Sequence, residues 1–332
     1  MNMRGATAVL IFAVLVAAFG SLFAGAAELG PSAVLSGLLG EPGTAGLIVR
    51  ELRLPRMILA LTVGAVLGLS GAALQGLLRN PLADPAVFGA PQGAASGAVA
   101  VLYLGAAEAV SWMLPAGAVA GALLAVVLVL LVAGREASVT VVVLAGLAVG
   151  SLAAAASSIV ISLSPNPFAV TEIVFWLLGS FEDRSMHHVA LALPAAIIAG
   201  ALMLRQGESL RLLALGEETA ASLGRPVERT RTVIVAAVAL GTGASVAVSG
   251  AIGFVGLIAP HLARGIYGSD PGRILGPSAL LGALLTLGAD TAVRLIPSTT
   301  ELRVGAVTAV LGVPLFLWIV ARRRAAMAAG AA

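Results

Sequence analysis

The chain has 332 residues, 59% of them hydrophobic and 11% charged, with a mean hydropathy of +1.06. A soluble chain carries about 25% charged residues, so this one has too few to cover a water-facing surface, and lipid is the solvent that fits. All 19 basic residues are Arg and there is no Cys, which excludes disulfides, thiol chemistry, a Lys Schiff base and the GxxxxGK[ST] phosphate loop of an ATPase.

The apolar runs are about 20 residues long, twice the length of a barrel strand. Aromatics, at 4%, are too scarce for barrel girdles. The expected fold class is all-α, a polytopic transmembrane bundle of about ten helices. The runs lie near 5–25, 57–78, 88–105, 113–133, 140–163, 189–204, 230–248, 251–266, 276–296 and 304–321. The break at Ser249-Gly250 is soft, so nine helices stay open. Residues 1–27 have signal-peptide marks, but with so many later spans a retained first helix is expected.

Orientation follows from arginine. With the N-terminus inside, the inner loops hold Arg4, Arg79, Arg135, Arg205, Arg211, Arg225, Arg229, Arg231, Arg264, Arg273 and Arg322 to Arg324. The outer loops hold Arg50, Arg53, Arg56, Arg184, Arg294 and Arg303, a ratio of thirteen to six that favours cytoplasmic termini. Arginine flanking membrane spans also accounts for the pI near 10.5, so no nucleic-acid partner is expected.

Taken in chain order, the first motif is Arg53-Leu54-Pro55-Arg56, just outside the second span. Pro55 disfavours helix at Leu54 and suits the first turn of the helix that follows. The arginines there anchor to headgroups or dock an acidic protein surface. Within the second span, Gly64, Gly68, Gly71 and Gln75 share one face, as a packing face or as the wall of a path. Gln75 needs a partner or a wet cavity at that depth. The loop Arg79-Asn80-Pro81-Leu82-Ala83-Asp84-Pro85 holds two prolines that stop a helix, and its stiffness suits a turn or a gate.

The fifth span carries Gly146, Gly150, Ala153 and Ser157 on one face, for a path or for packing. Further on, Gly216 and Gly224 bracket a short helix with Glu217 and Glu218 in its first turn, where the dipole favours acids. So short a helix needs something to pack on, such as a partner. In the ninth span Asp290 and Arg294 are spaced for an ion pair. His187 and His188 diverge on a helix and lack further ligands, so no metal site is expected. Ser70-Gly71-Ala72 is echoed by Ser249-Gly250-Ala251, a short hint of an inverted repeat.

Taken together, the blocks RLPR at 53–56, SGAALQGLLRNPLADP at 70–85, WLLGSF at 176–181, LALGEETAASLG at 213–224, SGAIGFVGLIAPHLAR at 249–264 and ELRVGAVTAVLGVPLFLW at 301–318 resemble the permease subunits of type II ABC importers. That group takes up iron–siderophores, heme and cobalamin. The resemblance runs nearly end to end and implies one permease domain, 1–332, with a cytoplasmic coupling segment at 207–228. It implies a second permease subunit, expected to be an identical copy, two ATP-binding subunits and a periplasmic binding protein. ATP and Mg would sit on the ATPase partners, with no cofactor on this chain and no enzymatic activity of its own.

By the same resemblance, Arg53, Arg56 and Arg294 would dock the binding protein, and Gly216, Glu217, Glu218, Ala220, Leu223 and Gly224 would couple to the ATPase. Asn80, Pro81 and Leu82 would form one cytoplasmic gate, and Val139 and Thr140 would lie at the other. Arg303 stands where many relatives have Pro. The expected location is the bacterial inner membrane and the expected cargo an iron–siderophore, with heme and cobalamin as alternatives. A transporter coupled to ions through Asp290 is the competing class.

Overall fold

The computed structural model of the chain describes residues 3–85, 89–105, 112–134, 139–164, 167–296 and 302–330. Helix α1 spans Met3–Ser21. The short α2 (Pro31–Leu38) and α3 (Thr44–Leu47) follow, then a π-helical turn, Ile48–Arg53, that leads into α4, Leu54–Leu77. Next come α5 (Ala90–Tyr103), α6 (Met113–Ala133), α7 (Val139–Ser162), α8 (Pro167–Leu177) and α9 (Met186–Arg205). The short α10 (Gly207–Leu213) and α11 (Glu217–Ser222) precede α12 (Val227–Ser249), α13 (Val255–Tyr267), α14 (Leu275–Leu295) and α15 (Val304–Gly330).

Every one of the ten expected runs contains a helix, but not every one is a full span. Among the described residues, 7 helical segments are long and apolar enough to cross a membrane: α1, the continuous Thr44–Leu77, α6, α7, α9, α12 and α14. Helices α5 and α13 have 14 and 13 residues, so each is about 20 Å long against an apolar core of about 30 Å. In α15 the apolar stretch is Val304–Trp318, with Pro314 inside it.

Pro55 does not break the chain out of helix at Leu54. The π-helical turn just before it widens the backbone, so the missing N–H and the bulk of the ring are absorbed without a break.

Helix α4 is the centre of the bundle and packs on α9, α12, α13 and α14. Its contacts with α14 and α13 are backbone to backbone. A Cβ on Gly64 would strike Gly282 O, one on Gly68 would strike Ser278 O, and one on Gly71 would strike Gly256 O. Without a hydrophobic drive inside lipid, such close approach is how helices hold together. Helices α5 and α6 meet in the same way through Gly93, Gly97, Gly117 and Gly121. The non-helical stretch 250–254 lies against protein, with Gly250 close to Trp176 O. Together with Asp84, Gln92 and Ser249 it borders a cavity of ≈ 160 Å³. Irregular backbone at membrane depth is tolerated only in such surroundings.

Candidate functional site

At the end that the arginine count assigns to the outside, the π-helical turn, the start of α4, the last turn of α14 and the loop 178–185 surround a cavity of ≈ 840 Å³. Arg53, Arg56, Arg184 and Arg294 line it with Glu28, Glu182 and Asp183. The three arginines expected to act together are therefore brought together, and each is held from within. Arg53 is only 5% exposed and donates to Leu22 O at 2.7 Å and Ala27 O at 2.5 Å, tying down the loop after α1.

Arg56 grips Asp290 from two nitrogens, Nε to Oδ1 at 2.9 Å and Nη2 to Oδ1 at 2.8 Å. Arg294 makes the expected pair on α14, Nε to Asp290 Oδ2 at 3.2 Å, and its Nη1 donates to Ser21 O and Ala24 O, both at 3.0 Å. One carboxylate thus serves two guanidiniums. The Asp290 side chain is 0% exposed, that of Arg294 5% and that of Arg56 11%.

Sequence reasoning found the Asp290–Arg294 pair from its spacing but not Arg56, which lies 234 positions away. It also missed the rim. Arg303 pairs with Glu182 at 2.5 Å, and Arg184 Nε donates to Val248 O at 2.6 Å. Burial pushes the Arg184 guanidinium below its ordinary pKa, with Asp183 opposing.

Towards the other end, Gln75 finds the partners its depth demands. Its Nε2 donates to Ala83 O and Gly256 O, both at 3.1 Å, and its Oε1 accepts from Arg264. One side chain thereby ties α4 to the proline loop and to α13. Asn80 shapes the same loop, its Oδ1 accepting from Leu82 N at 3.0 Å, while Arg79 takes a left-handed φ of 48°. A cavity of ≈ 280 Å³ opens beside Pro81, lined by Gln75, Arg79, Arg264 and Pro271. The other expected gate coincides with the first residues of α7, Val139 and Thr140, whose side chains lie outside the described residues.

The small-residue faces are packing faces here. Gly64, Gly68 and Gly71 are filled by α14 and α13. On α7, Gly146 and Gly150 face the turn before α5, where a Cβ on Gly89 would come within 2.9 Å of Gly150 N. Ser157 is buried, and its Oγ donates to Ala153 O at 3.1 Å. The opposite face of α7 exposes Ala148, Ser151, Ala155 and Ser158 beside Leu144 and Leu152.

The expected short helix is α11, hung between Gly216 at φ 116° and Gly224 at φ 78°, positions that a side chain would strain. Ala220 is fully buried in the core beside α10, and Arg231 of α12 reaches Glu217 at 3.5 Å. Leu215 and Leu223 stand 66% and 58% exposed at its two ends. Ser185 and His188 close a capping box at the start of α9, and the described residues hold no group of three or more His, Asp or Glu arranged for a metal.

A model of the FecCD transport family matches residues 11–322. The cobalamin import system permease protein BtuC of Halobacterium salinarum is 40% identical over 286 residues, 86% of this chain and 76% of its own. The vitamin B12 import system permease protein BtuC of Salmonella typhimurium is 39% identical over 276 residues, 82% of this chain and 83% of its own. An ABC transporter permease protein of Bacillus subtilis, YvrB, is 40% identical over 281 residues, 83% of this chain and 79% of its own. Among solved structures, the inward-facing conformation of an ABC transporter provisionally classed as metal-chelate type superposes with a TM-score of 0.85 at 29% identity, covering 94% of this chain and 97% of that one.

Proposed function

We propose a function from one premise, that this chain belongs to the FecCD transport family. It is the multi-pass permease subunit of an ATP-binding-cassette importer, placed in the plasma membrane with both termini in the cytoplasm. Two such subunits enclose the path, and separate subunits hydrolyse ATP. The exposed small residues Ala148, Ser151 and Ala155 on α7 support a second copy on that face, since small side chains let helices approach closely in lipid.

The observation that carries the reading is α11. Its buried Ala220 anchors it to the bundle, while Leu215 and Leu223 project from a face otherwise rich in charge. A six-residue helix cannot persist alone, and apolar residues exposed at both its ends suit the groove of a partner that pushes on it.

For cargo we favour a corrinoid, because the relatives at 40% and 39% identity are named for cobalamin and vitamin B12. An iron–siderophore, the cargo expected from the sequence, is the second reading, supported by the metal-chelate type of the solved relative at 29% identity. Uptake of labelled cyanocobalamin and of a ferric siderophore into vesicles holding the complete importer separates the two. Cobalamin accumulation with no siderophore uptake is the expected result, and the reverse moves the cargo to metal chelates.

The outer arginines are the docking site for an acidic binding protein. Arg56→Glu should weaken docking at least tenfold at low salt and less at high salt, read by surface plasmon resonance. Unchanged docking at low salt would remove this assignment. Arg53 is tied to Leu22 O and Ala27 O and Arg56 to the buried Asp290, so docking by either variant is read only after size-exclusion chromatography shows that it folds.

A further inference from the structure

Two guanidiniums share one buried carboxylate at the outer end of α4 and α14. Asp290 is hydrogen-bonded by Arg56 of α4 and forms an ion pair, without a hydrogen bond from Nε, with Arg294 of its own helix at 3.2 Å. The two positively charged partners are not equivalent. Arg294 is also fixed by the carbonyls of Ser21 and Ala24, and its side chain is 5% exposed. Arg56 is the more exposed at 11% and sits in the first turn of α4, facing the ≈ 840 Å³ cavity.

A buried carboxylate cannot be left without a positive charge, because the desolvation cost is then uncompensated. Here Asp290 can release Arg56 and still keep Arg294. The pair between Arg56 and Asp290 also bridges two helices whose backbones touch at Gly64 and Gly282, so its loss loosens the outer end of that seam.

We propose that Asp290 is a positioning residue that occupies Arg56 until an acidic partner docks, and that docking is an exchange of carboxylates. The partner's Asp or Glu takes Arg56, Asp290 retires onto Arg294, and the α4–α14 clasp opens. The partner's arrival is thereby converted into a change inside the bundle. This inference rests on the docking role proposed for Arg56.

Exchange makes a signed prediction. The internal carboxylate competes with the partner, so neutralising it should tighten docking even though it deletes an interaction. With Asp290→Asn, affinity for the purified binding protein should rise about tenfold, the worth of one partly buried ion pair that docking no longer has to break. In the same variant, ATP hydrolysis by the assembled importer should become less dependent on the binding protein. Affinity that is unchanged or lower overturns the exchange.

Arg56→Glu is measured alongside. If it leaves docking intact, the docking assignment itself is wrong. If it abolishes docking while Asp290→Asn fails to tighten it, only the exchange is wrong. The unmodified complex gives a second readout that does not depend on how the variant folds. Amide hydrogen exchange in the first turns of α4 and the last turns of α14 should quicken when the binding protein docks, and slowing or no change overturns the proposal.

Discussion

Gln75 and Asp290 are polar groups in an apolar medium, and each is satisfied by partners far away in the chain. The sequence marks both as costly, because a polar side chain on a glycine-lined face or an acid one turn from an arginine needs a partner. It does not reveal Ala83 O, Gly256 O and Arg264 around Gln75, nor Arg56 beside Asp290. Only the i, i+4 pair with Arg294 is written in local spacing. Gln75→Leu takes the donor from two buried carbonyls and one acceptor from the Arg264 guanidinium. It should cost about 3 kcal/mol, seen as a clear fall in the melting temperature of the detergent-solubilised protein. A variant as stable as the parent would mean that these bonds contribute little. The arginines proposed for docking follow the same rule: their outward position is legible from charge, but their burial and carbonyl ligands depend on the loop after α1 and on the end of α14.

At the scale of elements, glycine has two uses that composition alone does not separate. On α4 it brings backbones into contact. Gly68→Leu would drive a side chain into Ser278 O and the backbone of Gly282. Overpacking of this kind ordinarily costs about 1–3 kcal/mol, and rigid backbone on the far side puts this site at the top of that range or beyond. The variant should yield little folded protein by size-exclusion chromatography. Gly288→Ala on α14, where a Cβ meets nothing within 4 Å, should be neutral or slightly stabilising.

In α11 glycine instead sets the ends of a helix at positive φ, and the pair of glycines with two acids between them made this element readable. Leu223 projects from it, so Leu223→Asp should leave the permease folded but cut transport-coupled ATP hydrolysis at least tenfold. Normal coupling in that variant would take the contact elsewhere. Helices α2, α3 and α8 escaped the sequence reading because they have 8, 4 and 11 residues. A search for apolar runs long enough to cross a bilayer passes over them. The same search counted α5 as a full span and kept α13 as a short one, since hydropathy registers apolar residues and not the point where the helix stops.

For the whole molecule, the helical membrane class and the order of the ten runs were legible because lipid leaves few ways to satisfy a backbone. What could not be read was which runs are continuous and which are shortened by buried loops, since that depends on contacts such as Gly71 with Gly256. The composition also bears on energy. With no Lys, and so no GxxxxGK[ST] loop, this chain lacks that nucleotide site. Asp290, the most buried acid among the described residues, is already paired twice, a poor arrangement for binding and releasing a coupling ion.

Net uptake in proteoliposomes tests this account most directly. This chain is reconstituted with its binding protein, with or without the partner ATPase and ATP, under an imposed proton or sodium gradient. The account predicts cargo accumulation only when the ATPase and ATP are present, and none from either gradient alone. Accumulation driven by an ion gradient in vesicles lacking the ATPase would contradict it.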